Sequence, residues 1–94
     1  MRESSFEKWF KGKIEVLGGM CLKFWPGYFT GFPDRIVLMP GGFILFVETK
    51  TPTGKLSARQ RLVHKMLKRL GFRIECITDK EEAYDLLETI KMFL

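Results

Sequence analysis

The sequence predicts an α/β domain in which helices flank a mixed sheet, and three observations carry that prediction. Ser4-Ser5-Phe6-Glu7, Ser57-Ala58-Arg59-Gln60 and Thr78-Asp79-Lys80-Glu81 share the S/T-x-x-E/Q pattern of a helix start. In that pattern the hydroxyl and the side chain three residues later satisfy each other's backbone donors. Apolar runs of strand length occupy Met20 to Trp25, Asp34 to Met39, Phe43 to Lys50 and Phe72 to Ile77. The resulting order, helix, three strands, helix, strand, helix, sets one helix between the last two strands, as an α/β fold does.

The first helix is expected to run to about Leu17, to bury Phe6, Trp9, Phe10, Ile14 and Leu17, and to stop at Gly18-Gly19. Pro40-Gly41-Gly42 then joins the second and third strands as a hairpin. The second helix runs from Ser57 to about Leu70, with Leu62, Val63, Met66, Leu67 and Leu70 inward, and stops at Gly71. The third carries Ala83, Leu86, Leu87 and Ile90 inward and reaches the end of the chain.

Ninety-four residues accommodate one domain, spanning 1–94, with a single core and limited stability to spare. Hydrophobic residues make up 46% of the chain and recur periodically among charged ones, which excludes a disordered protein. Pro26, Gly27, Gly31 and Pro33 interrupt the longest uncharged run, and Pro40-Gly41-Gly42 breaks the next. No membrane span fits between them. Glu3 and Glu7 precede any apolar stretch, unlike a signal peptide, so a cytoplasmic protein of a bacterium or a phage-infected cell is expected. Cys21 and Cys76 fall inside strand-like runs and read as buried thiols. One histidine cannot build a zinc site with them, and no small-molecule cofactor is called for. A net charge of +5 suggests an anionic partner, with nucleic acid the first candidate, since a basic surface gains affinity by releasing counterions from phosphates.

The most informative stretch is the hairpin. Side chains alternate faces along a strand, so Glu48 and Lys50 share a face with Ile44 and Phe46, and Asp34 shares one with Ile36 and Leu38. A three-residue turn about Gly41 would pair Asp34 with Glu48, Ile36 with Phe46 and Leu38 with Ile44. Opposed Cβ atoms lie roughly 4.5 to 5.5 Å apart, close enough for both carboxylates to reach one ion. A one-residue slip would separate them onto opposite faces. Two adjacent, partly buried carboxylates repel unless a cation lies between them. Magnesium or manganese suits such oxygen ligands, and the Thr49 backbone carbonyl could complete the set. Lys50 could then orient or activate a water while the ion stabilises charge on a phosphate. The plainer reading is a loop aspartate and a solvated Glu48–Lys50 pair at a strand end.

Pro33-Asp34, then Glu48-Thr49-Lys50 after thirteen intervening residues, resembles the PD-(D/E)xK nuclease superfamily. Within it, Gly31-Phe32-Pro33-Asp34-Arg35, the hairpin ending Val47-Glu48-Thr49-Lys50, Gly54-Lys55-Leu56-Ser57 and Gln60 resemble the virus-type replication-repair nucleases, the VRR-NUC family. The resemblance implies a restriction-endonuclease-like αβββαβ core, here followed by a C-terminal helix. It implies that Asp34 and Glu48 bind metal, that Lys50 is the catalytic lysine, that Glu7 completes the metal site from the first helix, and that Gln60 lies near the active site. Glu3 competes with Glu7, and both Glu7 and Gln60 also have bland roles as capping-box partners. Stand-alone members of the family act as homodimers, which suits paired cuts on a four-way DNA junction.

Candidate DNA contacts are basic. Arg59, Arg61, Lys65 and Lys68 lie on the second helix, and the last three share a face at helical spacing. Lys55 is in the loop leaving the third strand, Arg35 follows Asp34, and Lys23 stands where the family pattern often has a lysine. His64, next to Val63, reads as a surface or half-buried packing residue rather than a catalytic one. The aromatic segment Phe24 to Phe32 is expected to cover a neighbouring subunit more than to stack on bases. The leading expectation is a magnesium- or manganese-dependent DNA endonuclease, junction-resolving and homodimeric. A catalytically silent nucleic-acid-binding module of the same fold is the alternative, and a basic protein-interaction domain is a third.

Overall fold

A computed structural model describes residues 4–51 and 53–94. In chain order its elements are α1 (Ser5–Val16), β1 (Met20–Lys23), β2 (Arg35–Met39), a 3-10 turn (Pro40–Gly42), β3 (Phe43–Thr49), α2 (Ala58–Arg69), β4 (Arg73–Ile77) and α3 (Lys80–Lys91). Among the described residues the strands form one sheet in the order β1-β2-β3-β4. The β1–β2 and β2–β3 pairs are antiparallel and β3–β4 is parallel. A parallel pair needs a long crossover, and α2 supplies it.

The helix starts at Ser4 and Ser57 form full capping boxes. Ser4 and Glu7 exchange bonds of 3.2 and 3.1 Å, and Ser57 and Gln60 exchange bonds of 2.9 and 3.0 Å. The third start lies one residue later than expected. Asp79, not Thr78, caps α3 by accepting from the Glu82 amide at 2.8 Å. Glu82 then reaches back to the Thr78 amide at 2.9 Å and to its hydroxyl, so the reciprocal logic survives with a different cap. In the turn between β2 and β3, Gly41 and Gly42 hold φ of 82° and 81°, which side chains with a Cβ resist.

Alternation divides the sheet into two layers. Cys21, Val37, Met39, Leu45, Val47 and Ile77 face α1 and α3, where Phe10, Ile14, Ala83, Leu86, Leu87 and Ile90 complete the larger core. Full burial of such a side chain contributes roughly 1.5–3 kcal/mol. The other face carries Phe46 and Ile74 against Val63 and Leu67 of α2, with Phe32 and Ile36 partly buried at its margin.

Expectations about packing need correction at α2 and at Cys76. Leu62, Met66 and Leu70 were expected inward but are exposed at 51%, 42% and 73%, while Val63, His64 and Leu67 are buried. Both sets of α2 residues repeat at helical spacing, so periodicity alone cannot choose between them, and the crossover onto β4 does. The aromatic segment divides between the interior and the surface. Phe32 turns inward, with ring centroids 4.9 Å from Phe24 and 5.2 Å from Phe46, whereas Trp25 and Tyr28 are exposed. Gly31 makes that turn possible: a Cβ there would lie 2.9 Å from the Arg59 backbone oxygen, and its φ is 86°. Cys21 is buried as expected, but Cys76 is exposed.

Candidate active site

The hairpin register is the one that sets the two acids side by side. Ile36 pairs with Phe46, Leu38 with Ile44 and Arg35 with Val47, so the next step outward sets Asp34 beside Glu48 at the open end of the pair. The Asp34 carboxylate is fixed by Thr49, which donates its amide at 3.1 Å and its hydroxyl at 2.8 Å. Glu48 is 4% exposed, and one of its oxygens lies 3.6 Å from the Lys50 ammonium. Its other oxygen, Oε1, is buried with no hydrogen-bond partner.

The electrostatics follow from that crowding. Burial, and then the neighbouring Asp34 charge, push the Glu48 carboxyl up to about 7, against the pull of Lys50. Burial also raises Asp34, although the two bonds from Thr49 oppose the rise. Glu7 behaves in the opposite sense. Its burial would raise it, but bonds from Arg35 and Ser4 together outweigh that effect and hold it below the usual carboxylate range.

Glu7 and Lys50 both line a cleft of about 320 Å³ that also touches Thr49 and Thr78. Glu7 therefore faces the same opening as Thr49 and Lys50, with one oxygen on the Ser4 amide and the other 2.5 Å from the Arg35 guanidinium. Glu3, its competitor from the sequence, lies outside the described residues. Gln60 spends its side-chain oxygen on the Ser57 amide in the α2 cap. Arg35, read as a DNA contact, is 2% exposed and bonded to Glu7, so it cannot reach a phosphate without opening the fold. Arg35 shares its strand face with Val37 and Met39, which sends it toward α1.

The remaining basic candidates are on the surface. Lys23, Lys55 and Lys65 are exposed. Arg59 and Arg61 are exposed but tethered, Arg59 to the Thr30 carbonyl at 3.2 Å and Arg61 to the Leu56 carbonyl at 2.7 Å. Arg61, Lys65 and Lys68 border a recess whose floor includes His64 and Cys76. Sequence reasoning gave His64 no role, yet it is 5% exposed and lies over Cys76, the β4 partner of Glu48. Its spacing of four from Gln60 was the available signal, because residues four apart share a helix face.

This geometry agrees with what known proteins show. A family model for the VRR-NUC domain matches residues 10–80. The chain belongs to the VRR-NUC domain family. It is a nuclease domain by that membership. The chain is similar to the protein named "Putative nuclease p44" of Acyrthosiphon pisum secondary endosymbiont phage 1, with 33% identity over 90 residues, covering 96% of each. A solved structure described as a VRR_NUC domain superposes with a TM-score of 0.83 at 28% identity, covering 88% of this chain and 90% of that one. The VRR-NUC fold thus accounts for the α1, mixed-sheet and crossover arrangement described above. No helix among the described residues is long and apolar enough to cross a membrane.

Proposed function

We propose that this VRR-NUC domain is a metal-dependent DNA endonuclease that hydrolyses phosphodiester bonds at the open end of the β2–β3 pair. The observation that carries the reading is Glu48, a buried carboxyl raised to about 7 beside a second acid, with one oxygen lacking any partner. Such an arrangement is costly for the protein alone and is relieved by a cation. Hard oxygen donors from Asp34, Glu48 and the Thr49 carbonyl fit magnesium or manganese. When bound there, the ion would supply charge stabilisation to the phosphate under attack.

The chain's own residues would do the rest. Thr49 holds Asp34 in place through two bonds. Lys50, 27% exposed at the cleft, is placed to hold a water or a phosphate oxygen. Water is the nucleophile, and no side chain forms a covalent intermediate. Glu7 would join the metal site only by yielding its contact with Arg35. Lys55, Arg61, Lys65 and Lys68 would meet the DNA backbone as positive charges without base specificity.

A homodimer acting on branched DNA, four-way junctions above all, is the finer part of the proposal. The exposed apolar residues Leu62, Met66 and Leu70 repeat along one outer stripe of α2, and Trp25 and Tyr28 add exposed aromatic surface. A second copy burying that surface would hold two sites in two-fold relation. The phage origin of the p44 relative supports a role inside a bacterial or phage-infected cell. The test is incubation of purified protein with labelled junction, flap, single-stranded and duplex DNA, with and without manganese. Manganese-dependent cutting favouring the junction is expected. Binding without cutting would point to a silent module, and equal cutting of duplex would remove the junction preference.

A further inference from the structure

Among the described residues, the buried side-chain polar atoms without a hydrogen-bond partner are Glu48 Oε1 and His64 Nε2. Buried polar atoms are rarely left alone, so each calls for an explanation. The pair lies in one layer. Glu48 and Cys76 are register partners on the adjacent strands β3 and β4, and the His64 Nδ1 atom is 4.0 Å from the Cys76 sulfur. Adjacent strands are about 4.8 Å apart, so the imidazole sits over the immediate neighbour of Glu48.

The chemistry of the two atoms is complementary. Burial, and then the Glu48 charge, push the Cys76 thiol up, which keeps its proton on sulfur. The thiol can donate its S–H or accept weakly at sulfur; with the S–H donating, the acceptor is the nearest His64 nitrogen, Nδ1. Accepting at Nδ1 fixes the neutral ring with its proton on Nε2. Burial, followed by the Lys68 and Lys50 charges, pulls the His64 pKa down and keeps the ring neutral. His64 Nε2 is then a donor without an acceptor, and Glu48 Oε1 an acceptor without a donor.

We propose that His64 is a positioning residue for Glu48: Cys76 sets its tautomer, and its Nε2–H holds the free Glu48 oxygen through one bridging water. A single water with polar partners on both sides is how such orphans are ordinarily satisfied. This assignment rests on the metal-binding reading of Glu48. It makes α2 contribute to the site through a residue that needs no contact with DNA. Partners that orient a metal ligand typically change metal affinity by about 10- to 100-fold when removed.

His64 is the only histidine in the chain, so its ring nitrogens can be read without ambiguity. A long-range 1H–15N spectrum of the metal-free protein should show the Nε2–H tautomer, and Cys76→Ala should shift the tautomer balance. A ring protonated on Nδ1 would overturn the proposal. Manganese affinity of the DNA-free protein supplies the second arm. His64→Gln, whose amide nitrogen can stand near Nε2, should keep the affinity within about threefold, while His64→Asn, with its amide nearer Nδ1, should lose about tenfold. Equal affinities for the two variants would overturn it, and this comparison holds even if His64→Leu fails to fold. Wild-type protein that binds no manganese while showing the Nε2–H tautomer would contradict the nuclease reading and leave the ring assignment standing.

Discussion

The two faces of the sheet are built to different standards. The face toward α1 and α3 is closed: its core joins residues from six elements, and its buried charge, Arg35, is bonded to Glu7 at 2.5 Å. The face toward α2 has a core of four buried residues, two orphaned polar atoms and a carboxyl raised to about 7. Neighbouring residues of the same strand feed both, Arg35 going to the closed face and Ile36 to the open one. Buried apolar packing and unmet polar groups are therefore separated by strand alternation rather than by distance.

Substitutions should keep that separation. The largest effect is expected on the open face, where Asp34→Ala should lower manganese-dependent cleavage by at least about 10²- to 10³-fold without unfolding the protein. Gel-based cleavage with circular dichroism as a control checks this, and unaltered cutting would remove Asp34 from the site. Leu45→Ala, on the closed face, should cost about 2–5 kcal/mol in urea unfolding and leave manganese affinity unchanged. A large loss of affinity in that variant would mean that the faces are coupled.

The faces should also respond to pH with opposite signs. Glu48 is raised from 4.5 to about 7, so the stability tied to its neutral form is present below pH 4.5 and is lost as pH rises through about 7. Glu7 is lowered, so its contribution is present above its unfolded value of 4.5 and is lost as pH falls through its lower folded value. Glu48→Gln should accordingly stabilise the metal-free protein at pH 8 by as much as roughly 3 kcal/mol, and not at pH 4. Thermal melts at the two pH values measure the difference, and a destabilised variant at pH 8 would show that the ionised carboxylate is stabilised by more than Lys50 and one water-mediated contact. The smallest effect is expected at the surface: Lys65→Ala should reduce the slope of log affinity against log salt by about 1 with little change in turnover.

Much of this contrast was legible in the sequence. The hairpin could be placed because the three-residue turn and the apolar alternation fix one register, and that register aligned Asp34 with Glu48 before any coordinates. Local hydrogen-bond patterns likewise announced the Ser4 and Ser57 caps. What the sequence hid depends on how layers stack. Nothing local shows that Leu62, Met66 and Leu70 lie outside while Val63 and Leu67 lie inside, so all five read as inward and His64 as a surface or half-buried residue. Arg35 was misplaced for a different reason: its position beside Asp34 suggested a shared role, although adjacent strand residues point to opposite faces. Thr78 lost its capping role to Asp79 because two adjacent residues can each cap a helix, and the Glu82 partner suited the second.

The central claim is that Asp34 and Glu48 form one cation site at the open end of the β2–β3 pair. Anomalous diffraction from a crystal of the protein soaked in manganese tests it most directly. The account predicts a single strong peak within coordination distance of both carboxylates, with Glu48 Oε1 among the ligands. A site without a peak, or a peak that leaves Glu48 untouched, would contradict it.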